Sequence, residues 1–469
     1  MRQGLKKEYH FNPETPPQAH RKENTGAETD HPFGAGRLRH LFRTLASPNY
    51  RLFFTGQGIS LIGTWMQRVA MNWLVYRLTS SEMLLGAVTF LGLFPVFVLS
   101  PVAGVLSDRI NRRRLLVITQ LLSMLQSLIL SGLVLTGAVR IGHILLLAAF
   151  LGLVNAFDTP VRQAFTVEMI DNKEDLGNAI ALNSAMFNGA RLVGPAIAGA
   201  LIAIFGEGIC FLLNGLSYLF VIASLLRMRI PPNDKKRSAN KMLDDLKEGI
   251  AYSFGVAPIR SVLLLLMVIS IMGLPYVVLL PIFAKDILRG GPHVFGFLMS
   301  AAGGGALCGA VFLAIRKTVV GLERVLPLMT ILFSLGLIGF SLSPFLWLSI
   351  PLLVLAGFGM MVQLASGNTI LQTIADEDKR GRVMSFYVMC VMGTAPFGSL
   401  LAGMTAERIG APRTLLIGGV FCLAGAVWFL KKLPELREII RPIYVEKGII
   451  SEVALGLQSA VQLPRPPVG

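Results

Sequence analysis

Apolar runs of roughly 20 residues, the length that crosses a bilayer, recur from residue 53 to residue 431. They fall near 53–76, 83–106, 115–137, 141–160, 179–204, 208–228, 259–283, 293–315, 325–342, 346–366, 382–407 and 411–431. Lipid cannot hydrogen-bond a bare backbone, so each run must satisfy its own peptide groups as a helix. The expectation is an all-α integral membrane protein with 12 transmembrane helices. Only 15% of the residues are charged, against about a quarter in soluble domains.

The net charge of +16 would suit a polyanion partner, but the distribution says otherwise. Most of the 43 Lys and Arg fall in connections on one side of the predicted spans. That bias sets topology, with the basic side cytoplasmic, and implies no nucleic acid. A small-molecule substrate and the lipid bilayer are the partners expected, for a chain that works as a monomer. Cys210, Cys308, Cys390 and Cys422 all sit inside apolar runs and read as small buried hydrophobes.

A polar connection at 229–258 separates six spans from six. Its Leu243, Leu246, Ile250 and Phe254 recur at helical steps, predicting an amphipathic helix on the inner membrane surface. The organisation expected is a disordered cytoplasmic tail (1–46), a six-helix bundle (47–228), that linker, a second six-helix bundle (259–433) and a cytoplasmic tail (434–469). An internal repeat supports the division. Gly177, Gly189, Gly194 and Gly199 recur as Gly381, Gly393, Gly398 and Gly403, each displaced by 204. Gly104 maps at 205 onto Gly309, and Asp108 onto Leu313.

Between the second and third runs stands Gly104-Val-Leu-Ser-Asp108-Arg109-Ile-Asn-Arg112-Arg113-Arg114. This turn resembles the G-x-x-x-D-R-x-G-R-R signature of the major facilitator superfamily of secondary transporters. Asn111 stands where that family usually has glycine, and Asn tolerates left-handed backbone. Ser-Pro-Asn-Tyr-Arg-Leu-Phe-Phe at 47–54 and Trp-Met-Gln-Arg-Val-Ala-Met-Asn-Trp-Leu-Val-Tyr-Arg-Leu-Thr at 65–79 are similar to the branch that contains the enterobactin exporter, the transmembrane secretion effectors. The resemblance implies that superfamily's fold, two parallel six-helix halves, a bacterial inner-membrane location and alternating access. It also implies that Asp108 docks at the start of the eleventh helix, near Gly381-Arg382, to close the cytoplasmic side.

The gating candidates are Gly104, Asp108, Arg109, Arg112 and Arg113 in the turn, Asp158 and Arg162, and Gly194-Pro195. Asp158 and Arg162 are four apart and can pair, as an interfacial ion pair or as one arm of a gate. Gly194 and Pro195 suit either close helix packing or a bend. The substrate candidates start from Arg191, near mid-bilayer, where a charge costs about 2.5–3.5 kcal/mol and faces a polar cavity. On the first span Gln57, Ser60, Thr64, Arg68 and Asn72 step along one face, lining the interior or packing against a neighbouring helix, flanked by Trp65 and Gln67; Asn188 precedes Arg191. Two such arginines without a partner acid suggest a substrate of negative or phenolate character.

No G-x-x-x-x-G-K-[ST] and no H-E-x-x-H occurs, so neither a nucleotide motor nor a zinc enzyme is indicated; no cofactor is expected. No Asp or Glu lies deep in the predicted spans, which leaves proton coupling as the family's implication alone. The reading is a non-enzymatic exporter of a small amphiphile such as a siderophore or drug. The alternative is a sensor or scaffold that kept the fold and lost transport.

Overall fold

The computed structural model describes residues 42–107, 110–169, 175–228, 252–316 and 318–449. The turn residues Asp108 and Arg109, most of the linker and most of both tails lie outside these. Among the described residues the long helices are α1 (Pro48–Thr79), α2 (Glu82–Ser107), α3 (Arg112–Leu135), α4 (Ile141–Glu168), α5 (Leu176–Phe205) and α6 (Glu207–Arg227). The second six are α7 (Ala257–Ile287), α8 (Pro292–Ile315), α9 (Leu322–Ser341), α10 (Leu346–Ile374), α11 (Arg380–Ile409) and α12 (Ala411–Glu446). Eleven of them are long and apolar enough to span a membrane. The other is α1, whose charge and amide content lowers its apolarity.

The six-and-six division is realised as a repeated packing pattern. In the first half α1 packs on α5 and α6, α2 on α4, and α3 on α4 and α6. In the second half α7 packs on α11 and α12, α8 on α10, and α9 on α10 and α12. The halves join through α5 on α8 and α2 on α11, contacts that exchange when the halves are exchanged. The glycine repeat underlies this symmetry. A Cβ at Gly194 would strike Trp65 of α1, and at Gly398 it would strike Ile271 of α7. At Gly199 it would strike Pro292 and Gly296 of α8, and at Gly403 Glu82 and Gly86 of α2. Bare backbones therefore let the two halves approach at equivalent places.

The joining contacts are one-sided. The turn side carries the start of α1 and the end of α12; the far side carries the start of α2 and the end of α11. α5 meets α8 from Gly199 down to Arg191, which lies under Gly303. α2 meets α11 from Glu82 to Phe97, which lies against Gly393. Further toward the turn side, Gly177, Gly189 and Gly381 have nothing among the described residues within 4 Å of a Cβ. Among the described residues the halves meet on the far side, and these three glycines meet no partner on the turn side.

α7 and α11 each widen into a π turn, at Ile269–Gly273 and Met389–Gly393. A proline follows each one (Pro275, Pro396) and removes a backbone donor there. α5, by contrast, runs through Pro195 without interruption.

Several expectations shift. Asn111 has φ −61°, not left-handed; it caps α3, its Oδ1 accepting the Arg114 amide at 3.1 Å. Cys308 is exposed, the other three cysteines buried. Residues 434–446, expected as tail, continue α12 because Leu433, Leu436, Ile440 and Tyr444 bury at helical spacing. Lys447 then caps α10, its Nζ donating to the carbonyls of Thr373 and Ala375 at 2.7 and 2.8 Å.

The tightest contact lies between α8 and α10, where a Cβ at Gly357 would collide with the Ala302 carbonyl. Gly357→Ala is therefore expected to destabilise by about 1–3 kcal/mol or more. It should lower the melting temperature in detergent, while Gly142→Ala, which has open space, should not.

Candidate functional site between the halves

Trp65 organises the space between the halves at mid-span. It sits on α1 against Gly194 of α5, with Phe187 edge-on to its ring at 5.7 Å. The Arg68 guanidinium carbon lies 4.9 Å and that of Arg191 5.7 Å from the ring centroid. Arg68, in the middle of α1, keeps exposed surface and feels the charge of Arg191. The second half closes the other wall. Arg191 Nη2 approaches Met360 Sδ of α10 at 3.8 Å, and its backbone carbonyl sits beneath Gly303 of α8. Tyr276 of α7 lies beside Arg191, its buried hydroxyl without an acceptor for its proton. Helices of both halves thus build one site, which fits a small molecule bound where the halves meet.

Of the substrate candidates, Arg68, Trp65 and Arg191 are brought together here; the others are not. Gln67 is buried within the first half. Its Oε1 accepts from Ser127 Oγ at 2.7 Å and Asn214 Nδ2 at 2.6 Å, and its Nε2 donates to Gln126 Oε1 at 2.9 Å. This network ties α1, α3 and α6 and takes Gln67 away from the site. The reason is angular, since one residue along a helix is about 100° of rotation. Gln67 shares its face with Gly63, whose Cβ position would touch Asn214. Gln57 is likewise interior, beside Gln120, Arg162 and Phe53 on the turn side of the first half. Thr64 Oγ1 and Asn188 Nδ2 donate to carbonyls one turn back on their own helices, Ser60 at 3.0 Å and Ser184 at 2.9 Å. Asn72 is half-buried.

The gating candidates divide too. Asp158 is buried; Thr119 Oγ1 and Gln120 Nε2 donate to its Oδ1 at 2.8 and 2.7 Å, and Arg162 pairs with its Oδ2 at 3.3 Å. These partners all lie in the first half, so the pair ties α3 to α4. Arg112 pairs with Glu168. Arg113 donates to the Leu225 carbonyl at 2.7 Å and to that of Leu226, capping the negative end of the α6 dipole. Gly194 and Pro195 lie where α5 crosses α1 and α8. Gly104 belongs to the last turn of α2. The docking expected of Asp108 and Arg109 falls outside the described residues.

Sequence reasoning missed the far-side closure. Tyr76 of α1 donates to Asp286 of α7, and Lys285 lies 5.0 Å from the Tyr76 ring centroid. Glu407 of α11 accepts from Ser81 Oγ at 2.8 Å and the Met83 amide at 2.7 Å. A carboxylate from the second half thereby caps the positive start of α2. Each of these acids ends an apolar run, a position that also suits an ordinary interfacial charge. Phe187 was the legible omission, being one turn from Arg191.

The profile of the transmembrane secretion effector family matches residues 41–444. The staphyloferrin A transporter of Staphylococcus aureus is 26% identical, covering 82% of this chain and 97% of that one. The multidrug efflux pump Tap of Mycolicibacterium fortuitum is 26% identical, covering 82% and 93%. The macrolide efflux protein A of Streptococcus pyogenes is 23% identical, covering 80% and 95%. Among solved structures, a bacterial homolog of the human lysosomal transporter Spinster, inward-facing and unoccupied, superposes with a TM-score of 0.64 at 14% identity, covering 83% of this chain and 98% of that one. The nucleoside transporter NupG superposes with a TM-score of 0.61 at 13% identity, covering 82% and 98%.

The Gln67 network makes a separable prediction. Gln67→Leu takes the acceptor from Asn214 Nδ2 and the donor from Gln126 Oε1, while Ser127 Oγ keeps the Phe211 carbonyl, and is expected to cost about 1–3 kcal/mol of stability with the affinity for a transported compound unchanged. Thermal unfolding and ligand titration of the same preparation check both parts.

Proposed function

The chain belongs to the transmembrane secretion effector family of major facilitator transporters, and we propose that it exports a small amphiphilic molecule by alternating access. A siderophore or a drug is the substrate type, since relatives named for staphyloferrin A, multidrug and macrolide efflux align over four-fifths of the chain or more. The observation that carries the reading is the one-sided closure of the halves, with Arg68, Trp65 and Arg191 at mid-span. Lys and Arg crowd the turn side, which makes it the cytoplasmic face of a bacterial inner membrane, with both termini inside. The conformation described is then open to the cytoplasm, ready to load.

Rocking the two bundles, 47–228 against 259–433, would break the far-side contacts and close the turn side. In that second state Asp108 takes the place the family implies, against the start of α11 near Gly381. Proton coupling is part of the proposal. The acids that join the halves, Asp286 and Glu407, stand at the far closure, where protons from outside would reach them.

Accumulation of labelled substrate in proteoliposomes, with and without an imposed pH gradient, tests export and coupling together; gradient-independent equilibration would overturn active transport. The far closure offers a second test. In a Cys308→Ser background, Ser81→Cys with Glu407→Cys, bridged by a short reducible dithiol reagent, is expected to stop transport until the bridge is reduced. Undiminished transport by the bridged protein would refute the rocking motion.

A further inference from the structure

Four ion pairs join described residues: Arg77 with Glu207, Arg112 with Glu168, Arg162 with Asp158 and Arg437 with Glu323. None of them involves Arg68 or Arg191, although both lie at mid-span. Both guanidiniums share one indole ring, so they also repel each other. A cation at this depth costs about 2.5–3.5 kcal/mol, and a cation–π contact returns about 0.5–2 kcal/mol. One ring does not offset two such charges. The protein keeps a positively charged recess where a structural role would have supplied a carboxylate.

The rest of the wall is neutral. Met360 offers a soft thioether beside Arg191, and Phe187, nearly half exposed, offers an open aromatic face beside Trp65. Tyr276 supplies the independent sign of a ligand. Its hydroxyl is buried and faces the Arg191 guanidinium, which can only donate, so the hydroxyl proton has no acceptor. A buried hydroxyl left unmet costs about 1–3 kcal/mol, which an acceptor oxygen on a bound molecule would recover.

We propose that Arg68 and Arg191 form an anion clamp for an amphiphile with at least two acidic oxygens, carboxylate or phenolate, next to an aromatic or apolar body. The apolar body lies along Trp65 and Phe187, and Tyr276 from the opposite half donates to one acidic oxygen. The clamp rests on the export reading for its biological use, but its binding chemistry is testable without it. A molecule of the same size carrying a positive charge meets two cations and no acid, and is rejected.

Carboxyfluorescein, an aromatic polyanion, and rhodamine 6G, a cation built on the same ring system, are the probes. Fluorescence anisotropy with the full chain in detergent gives affinities; dye flux in proteoliposomes gives transport. Arg68→Gln and Arg191→Gln are each expected to weaken carboxyfluorescein binding about tenfold or more, from loss of a charge-assisted hydrogen bond. Arg→Lys at either position keeps the charge and should retain most of the affinity, which separates lost charge from misfolding. Tyr276→Phe should weaken binding by a smaller factor, and rhodamine 6G should not bind more weakly to any glutamine variant than to the native chain. Failure of the native chain to bind carboxyfluorescein, or equal losses for both dyes, would overturn the clamp. Arginine-dependent binding without flux would leave the clamp standing and tell against export. Rhodamine flux without carboxyfluorescein binding would do the reverse.

Discussion

Hydrocarbon offers no hydrogen bond, and this sorts the polar side chains of α1. A polar group in a span must find a partner inside the protein or face water between the halves. α1 turns its polar groups two ways. Gln67 turns into a network with Gln126, Ser127 and Asn214, while Arg68, one position on, turns to Trp65 and Arg191. The helix is thus both the first half's polar spine and one wall of the site. Its limited apolarity follows from that double duty.

The same constraint explains why glycine matters so much here. Without a hydrophobic gain on bringing one apolar helix to another, association in lipid depends on close packing. Gly194, Gly199, Gly398 and Gly403 supply it at symmetry-equivalent crossings. Their partners toward the turn side, Gly177 and Gly381, meet open space. The repeat in sequence is therefore a repeat of docking surfaces, engaged at one end only in this conformation.

The architecture was legible because its signals are long: runs of some 20 apolar residues, a basic bias and a glycine offset kept over four positions. The site was legible only in part, since a face of a helix is a matter of 100° steps. Arg191, Arg68 and Trp65 were found because a charge at mid-span has few places to go. Gln67 and Gln57 were misplaced because an amide is equally at home in a closed network and in a cavity. Tyr276 and Met360 carry no such cost in a span and gave no signal. A short basic helix was legible past residue 433; that it continues α12 without a break was not, because its apolar stripe, Leu433 to Tyr444, is narrow among many charges.

The polar contacts within the first half differ in kind from those to Glu407 at the far closure. Inside the first half, Asp158 and Gln67 are buried and fully partnered, and removing one side of such a pair leaves a desolvated group behind. At the far closure, Ser81 and Met83 meet Glu407 in exposed positions, where water replaces each partner and the contact is worth about 0–1 kcal/mol. The seam also holds partly buried bonds, Tyr76 to Asp286 and Ser300 Oγ to the Leu192 carbonyl, so the exposed contacts to Glu407 are the weaker part of it. The aromatic contacts at the seam, Trp73 on Phe295 and Phe397 among Phe90, Phe94 and Phe97, are non-directional by comparison. They give the seam cohesion without fixing one geometry.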